Sequence, residues 1–445
     1  MKLRNIFLAS LAVCTMASCS KDETIDYSQM GPVDAYVSLA ATSAIQTKAT
    51  VDKNGDELLS GEKYINSLTA YVFLDKGATD ADKTFAAVKH LTVATNEEAA
   101  LVSNETGLLG IDHIIVKVTP DASGTSSSDN FIAVLVANAD QVTVSNLAEL
   151  KNKVITKSVE NYTPAVVAAK TCYLPMVSGE IKFGKLVPNI IVDGDQKTYT
   201  ENWINSGSTT TISQTSTEND PTIIPTGLNK VTLTRLVARV QVESVTVKIV
   251  DNYPGARFKL EHLSLVNVRP TATIETGAGN YVKGYQSSGY GPSERAWIFD
   301  TNGSTVSTLV KAYNILLDEG GTPGSDVKKW GKEDTDKFCS YIFGNPEVTK
   351  ENEATVYQTA LLISGTFYKN KEDKTGSEKN FRVFLQDIET KGPIMVIPNN
   401  VYKLNVTVTG EGSPNENEIL LNAHVAATIE VAPWNVIEQT EEDAN

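Results

Sequence analysis

The chain carries few residues arranged to do chemistry. Its four histidines, His90, His113, His262 and His424, lie far apart, and none falls in HExxH or another metal-ligand spacing. Each is expected to pack or to face solvent, and no metal site is expected. Gly277-Ala278-Gly279 is followed by Val282 where a dinucleotide-binding loop needs its third glycine, and no helical pattern follows. GxSxG and Walker A motifs are absent. Asp80–Asp82 is Asp-rich but lacks EF-hand spacing. Carboxylates are plentiful, yet nothing singles out a pair for acid–base work. The chain is therefore read as a non-enzyme, with no catalytic residue and no cofactor.

Two positions are marked as targets of processing instead. Lys2 and Arg4 precede a short apolar run, Ile6 to Met16, too short to span a bilayer as a mature helix. Met16-Ala17-Ser18-Cys19 then looks like a bacterial lipobox, in which Cys19 is diacylated and becomes the new N-terminus. An ordinary signal peptide cut at another small residue is the alternative. Further on, the polar run Thr42 to Thr47 ends in Lys48-Ala49. A basic residue in an exposed polar loop suits a trypsin-like protease.

Charge narrows the partners. Lys+Arg 39 against Asp+Glu 54 gives a net charge of -15. Nucleic acid is excluded as a partner, because its affinity comes from phosphate neutralisation. A polybasic membrane patch is excluded too. Cys14 leaves with the signal peptide and Cys19 is lipidated, so only Cys172 and Cys339 remain. Two cysteines are not a disulfide framework, and both read as small buried hydrophobes, with one bridge between them as the alternative.

The elements that position these residues read as strands. Just before the basic site, Val33, Ala35, Val37 and Leu39 alternate with Asp34, Tyr36 and Ser38, the pattern of a strand with one buried face. Ile65–Leu74 and Phe131–Ala137 are apolar on both faces and read as central strands. Ile111–Val118 and Ile181–Phe183 are shorter strands. Ser145–Val159 is the best helix, with Leu147, Leu150 and Val154 on one face. Ser206–Thr226 lacks apolar periodicity and reads as a loop or linker.

A second unit begins at about Gly227. Val231–Val250 is the longest strand signal; its apolar parity switches after Val242, which predicts a β-bulge or break near Glu243-Ser244. Phe258–Val268, Ala354–Phe367, Phe381–Leu385, Val401–Val408 and His424–Val431 read as further strands, and Gly277–Lys350 as loops. The two halves look alike, so the fold is expected to be all-β: two tandem β-sandwiches with few short helices.

Several segments together resemble the fimbrillins of Bacteroidales, the subunits of type V pili, and within them the major short-fimbria shaft type. They are the lipobox with its acidic tail Ser20-Lys21-Asp22-Glu23, the strand and basic site ending at Lys48-Ala49, and FIAVLVANAD at Phe131–Asp140. LPMVSGE at Leu174–Glu180, LTRLVARVQV at Leu233–Val242, IPNNVYKLNVTVTG at Ile397–Gly410 and IEVAPWNV at Ile429–Val436 complete the set. Met16 stands where Leu is usual in the lipobox, and Lys48 where many members have Arg.

The resemblance implies two transthyretin-like β-sandwich domains and export to the cell surface as an outer-membrane lipoprotein carrying palmitate. It implies that an Arg- or Lys-specific protease cuts at Lys48-Ala49 and removes the first strand. A strand from a neighbouring subunit then fills the groove, and the fimbria serves adhesion. The expected organisation is a signal peptide over 1–18, a propeptide with the first strand over 19–48, and β-sandwich domains over 49–228 and 229–445. The expected partners are other copies of the chain, accessory fimbrial subunits, the processing protease and, before cleavage, the outer membrane. Ile419, Leu421, Ala423 and Val425 share one parity with Ala427, Ile429 and Val431, which makes them the donor-strand candidate. These strands completing the chain's own second domain is the alternative. An anchored or tip accessory lipoprotein binding a protein or carbohydrate is the competing function, and a secreted hydrolase is a distant third.

Overall fold

The computed structural model describes residues 26–43, 61–93, 102–103, 108–155, 157, 161–190, 198–207, 211–217, 224–249, 253–266, 268, 272–275, 310–318, 330–331, 338–344, 359–385, 396–414 and 425–433. The first half holds β1 (Val33–Ser43), β2 (Ser67–Leu74), β3 (Thr84–Thr92), β4 (Val102–Ser103), β5 (Leu108–Val118) and β6 (Asn130–Ala137). Two helices, α1 (Leu147–Lys151) and α2 (Pro164–Ala168), precede β7 (Met176–Val177), β8 (Ile181–Gly184), β9 (Thr198–Ile204) and β10 (Thr211–Thr217). The second half holds β11 (Val231–Arg235), β12 (Val237–Val247), β13 (Arg257–Val266), β14 (Val310–Asp318) and β15 (Trp330–Gly331). It ends with β16 (Phe338–Phe343), β17 (Ala360–Tyr368), β18 (Ser377–Phe384), β19 (Asn400–Val408) and β20 (Val425–Pro433). The architecture is all-β.

The two halves repeat one pairing scheme. β1 lies between antiparallel β5 and parallel β9, and β9 continues to β10. In the second half β12 lies between antiparallel β16 and parallel β19, and β19 continues to β20. β2 lies between β3 and β6, which continues to β8; β13 lies likewise between β14 and β17, which continues to β18. β11 pairs with both β1 and β7, and so joins the strands of the first half into one 11-stranded sheet.

Burial explains the patterns. Leu68, Ala70, Val72, Ala133 and Leu135 meet Ala35, Val37 and Leu39 in one core. The opposite faces of the same strands, Tyr71, Phe73, Ile132 and Val134, pack with Leu147, Leu150 and Val167 of the helices, in a core continuous with that of the second half. β2 and β6 are therefore apolar on both faces, as expected of central strands. The parity switch after Val242 is a shift in the β12–β19 register between Val242 and Ser244. A break also occurs earlier, at Leu236, and separates β11 from β12.

Other expectations are corrected. The helix expected over Ser145–Val159 is only α1, capped by Asn146 and ended at Asn152. Val154 leaves the helical face, bridges to Thr273 and is exposed. The stretch Ser206–Thr226 contains β10, a Thr- and Ser-rich strand paired, among the described residues, with β9 alone. Such a strand buries little, so it shows no apolar period, yet its β-branched threonines favour the extended chain. Gly277–Lys350 contains β14, β15 and β16 instead of loops alone. Cys172 is buried and Cys339 half-buried, and no disulfide joins them.

Candidate functional site: the groove around the first strand

β1 is enclosed along its length. Val33 to Thr42 pair with β5, Tyr36 to Ser38 with β9 and Ala41 to Ser43 with β11. Ala35, Val37, Leu39, Ala40 and Ala41 are fully buried. At about 0.8 kcal/mol per buried methyl or methylene group, these five side chains supply roughly 8 kcal/mol gross, an upper bound before ordering costs. Ala35, Val37, Leu39 and Ala41 face the core shared with β2 and β6, while Ala40 packs on the other side against Trp203 and Leu228.

The outward face of β1 meets a polar clasp. The Ser38 Oγ donates to Oε2 of Glu201 at 2.5 Å, and Glu201 has no exposed surface. The other carboxylate oxygen of Glu201 pairs with Nδ1 of His113 at 2.6 Å. Burial alone would push the His113 imidazole down, but hydrogen bonds and charge from Asp112 and Glu201 prevail and raise it to about 9. The Tyr36 ring of β1 stacks on His113, and Tyr199 meets both rings edge-on. Asn202 Nδ2 donates to the Tyr36 carbonyl at 2.9 Å. Lys89 Nζ donates to Asp112, to its carbonyl at 2.6 Å and its carboxylate at 3.1 Å.

His113 takes this position because β5 carries an extra residue there. Val37 pairs with Ile114 but Leu39 with Ile111, and His113 adopts a φ of 51°. The bulge turns His113 onto the outer face, beside β9. The sequence alone suggests a packing or surface residue; the structure makes it a charged partner of two carboxylates. Glu201 and Asn202 went unread because they sit in a strand without apolar alternation. Asp80, by contrast, is paired with Lys83 and with Lys151 of α1, both at 2.6 Å, and Asp82 is engaged by Thr79, so both carboxylates already have partners.

A second polar cluster lies where the described chain resumes. Gly61 approaches α2 so closely that a Cβ there would sit 1.6 Å from the Val167 carbonyl oxygen. The next residue, Glu62, is fully buried. Both its carboxylate oxygens accept from Nη1 of Arg239, at 2.9 and 3.0 Å, and Oε1 also accepts from the Tyr341 hydroxyl at 2.5 Å. Arg235 Nε donates to the Glu62 carbonyl at 3.1 Å, and its Nη1 to Asn399 Oδ1 at 3.3 Å. Burial lowers the Arg235 guanidinium to about 10 and raises the Tyr341 phenol. The cluster thus ties the start of β2 to β11, β12 and β16. Ser43 Oγ donates to the Lys63 carbonyl at 2.7 Å, so the two described ends flanking residues 44–60 meet.

Of the sequence-derived site residues, Val33, Ala35, Val37 and Leu39 all lie in β1. Val425, Ala427, Ile429 and Val431 lie in β20, paired with β19 of the same chain. Cys19, Lys48, Ala49, Ile419, Leu421 and Ala423 lie outside the described residues, as does His424. Among the described residues β20 is bonded to one strand, at the end of its sheet.

Comparison with known proteins agrees with the fold. Residues 35–235 match the family described as major fimbrial subunit protein (FimA). A structure of a candidate cell adhesion protein from Parabacteroides distasonis superposes with a TM-score of 0.58 at 15% identity, covering 91% of this chain and 99% of that one. A fimbrilin from Porphyromonas gingivalis superposes with a TM-score of 0.52 at 17% identity, covering 92% and 99%. A second Parabacteroides distasonis cell adhesion candidate gives 0.53 at 16%, covering 91% and 100%. No curated protein matches the chain significantly. These findings bear out the resemblance to Bacteroidales fimbrillins.

Proposed function

Starting from the major fimbrial subunit family matched over residues 35–235, we propose that this chain is a shaft subunit of a cell-surface fimbria, assembled by strand exchange. The precursor is lipidated at Cys19 and travels to the outer membrane. A trypsin-like protease cuts at Lys48-Ala49 and separates residues 19–48, with β1, from the units over 49–228 and 229–445. A strand of another subunit then takes the place of β1. The observation that carries this reading is β1 itself. It is bonded on both sides and buried on its apolar face, yet it belongs to the part of the chain ahead of the basic site. Removing it leaves an apolar groove flanked by unpaired strand edges, which another strand would satisfy.

The donor is read as the Ile419–Val431 run of a second copy. Support comes from the place of β20 at the end of its sheet, where departure breaks one ladder and not two. Sheared fimbriae, dissolved without boiling, are expected to give a ladder of oligomers whose subunits begin at Ala49 on N-terminal sequencing. Polymer subunits that begin at Cys19 would overturn the cleavage step and favour the anchored accessory role.

A further inference from the structure

We propose that the groove around β1 reads its occupant at two points, taking a strand with Ser or Thr at the Ser38 position and a small residue two places on, at Ala40. The proposal rests on the strand-exchange reading only in that the groove must change occupant. The first point is Glu201. Its carboxylate is fully buried, with one oxygen on His113 and the other on the Ser38 hydroxyl. An apolar side chain at that place would strip a buried charge of a hydrogen bond, which costs more than the loss of an exposed one. Tyr36 and Tyr199 crowd the imidazole on the neighbouring positions, so the hydroxyl must be short.

The second point is the indole of Trp203. It is fully buried, held by Nε1 donating to Gln214 Oε1 at 3.1 Å, and packed on Ala40 and Leu228. Ala40 is itself fully buried against this indole, so a larger side chain would have to displace it. Between and beside these points the core takes Val37, Leu39 and Ala41. The accepted pattern is therefore apolar, hydroxyl, apolar, small, apolar. Because a slip of one residue turns every side chain to the other face, the two points also fix the register.

In no register does the Ile419–Val431 run meet both points. With Thr428 on Glu201, Glu430 falls on Trp203; moved by two residues, Ala426 faces Glu201 and no hydroxyl is supplied. Replacing Glu430 by Ala creates Ala427-Thr428-Ile429 followed by a small and an apolar residue, the full pattern. This makes a test in which the groove residues stay unchanged and only the incoming peptide varies.

The full chain, with a recognition site for a sequence-specific protease placed at Lys48-Ala49, is folded, cut there and offered labelled peptides in competition. For peptides of residues 32–43, Ser38→Thr should compete within about threefold of native, while Ser38→Val and Ala40→Leu should compete at least about tenfold less well. For peptides of residues 423–433, Glu430→Ala should compete at least about tenfold better than native, and adding Thr428→Val should abolish the gain. Equal competition by the Ser38 and Ala40 variants, or no gain from Glu430→Ala, would overturn the proposal. Entry of the Glu430→Ala peptide with complete exclusion of the native one supports the two-point reading and removes the C-terminal donor from the proposed function.

Discussion

Glu62→Gln tests whether the buried cluster around Glu62 holds β11, β12 and β16 to the chain just ahead of β2. The substitution keeps the size of the side chain and removes its charge. Arg239, which meets both carboxylate oxygens at 2.9 and 3.0 Å, then faces an amide, and the nearby Arg235 loses the same anion. Both guanidiniums are buried. Removing one partner of a buried ion pair typically costs about 3–5 kcal/mol, because the other charge stays desolvated. The amide oxygen can still accept from Tyr341 or Arg239, so the lower end, about 3 kcal/mol, is expected here. Against a domain stability of roughly 5–15 kcal/mol, that is a large fraction.

Urea unfolding, followed by tryptophan fluorescence and circular dichroism, should show the midpoint fall with little change in slope. Arg239→Met alone should also be costly. The double variant Glu62→Gln with Arg239→Met should lose clearly less than the sum of the two. A loss under about 1 kcal/mol for Glu62→Gln, or strict additivity in the cycle, would refute the reasoning.

Cys19→Ala should abolish labelling by a palmitate analogue and delivery to the surface; unchanged labelling of the variant would disprove the lipobox reading. The His113 imidazole, raised to about 9 from an ordinary 6.5, stabilises fully below about pH 6.5, and the contribution is lost as pH rises through 9. The groups facing it are Asp112, Glu201, Tyr36 and Tyr199, with Lys89 on Asp112. Discounted for its partial exposure, the contribution is about 1–2 kcal/mol, so the gap in melting temperature between wild type and His113→Gln should narrow from pH 7 to pH 10, and a constant gap would contradict the clasp. Removing Ile419–Asn445 should leave a chain that is cut at Lys48 yet cannot extend a polymer, with circular dichroism checking the fold because β20 also completes its own sheet; normal polymerisation would exclude the C-terminal donor.

What was legible in the sequence follows from what hydropathy reports. β1, β2, β5, β6, β12, β13 and β17 to β20 announce themselves because one or both faces pack into a core, and the switch of parity near Glu243 marks a real register shift. β9 and β10 are silent for the opposite reason. β9 buries Glu201 and Asn202, polar residues whose burial is compensated by partners distant in sequence, and β10 pairs on one side and carries mostly Ser and Thr. The polar clasp joins Ser38 to Glu201, 163 residues away, and the Glu62 cluster spans 177 residues to Arg239. Both depend on a fold that brings the halves of the chain together, so no local pattern foretells them. The helix over Ser145–Val159 was overread because Val154 fits the helical period by chance, while Asn152 ends the helix first.

The break between β11 and β12 consists of Leu236 alone. That residue is fully buried, and its amide donates to the Pro175 carbonyl at 2.9 Å. Flexible connections between domains are usually exposed and several residues long, rich in Gly, Ser or Pro. Here the backbone passes from the sheet of β1 to the sheet of β12 as nearly continuous extended chain, clamped on each side by Arg235 and Arg239 on Glu62. The subunit should therefore bend very little about its own middle. In a polymer of such units, compliance would reside at the joints between molecules, and the persistence length of the fibre would be set there and not by the hinge that two similar halves in one chain would otherwise suggest.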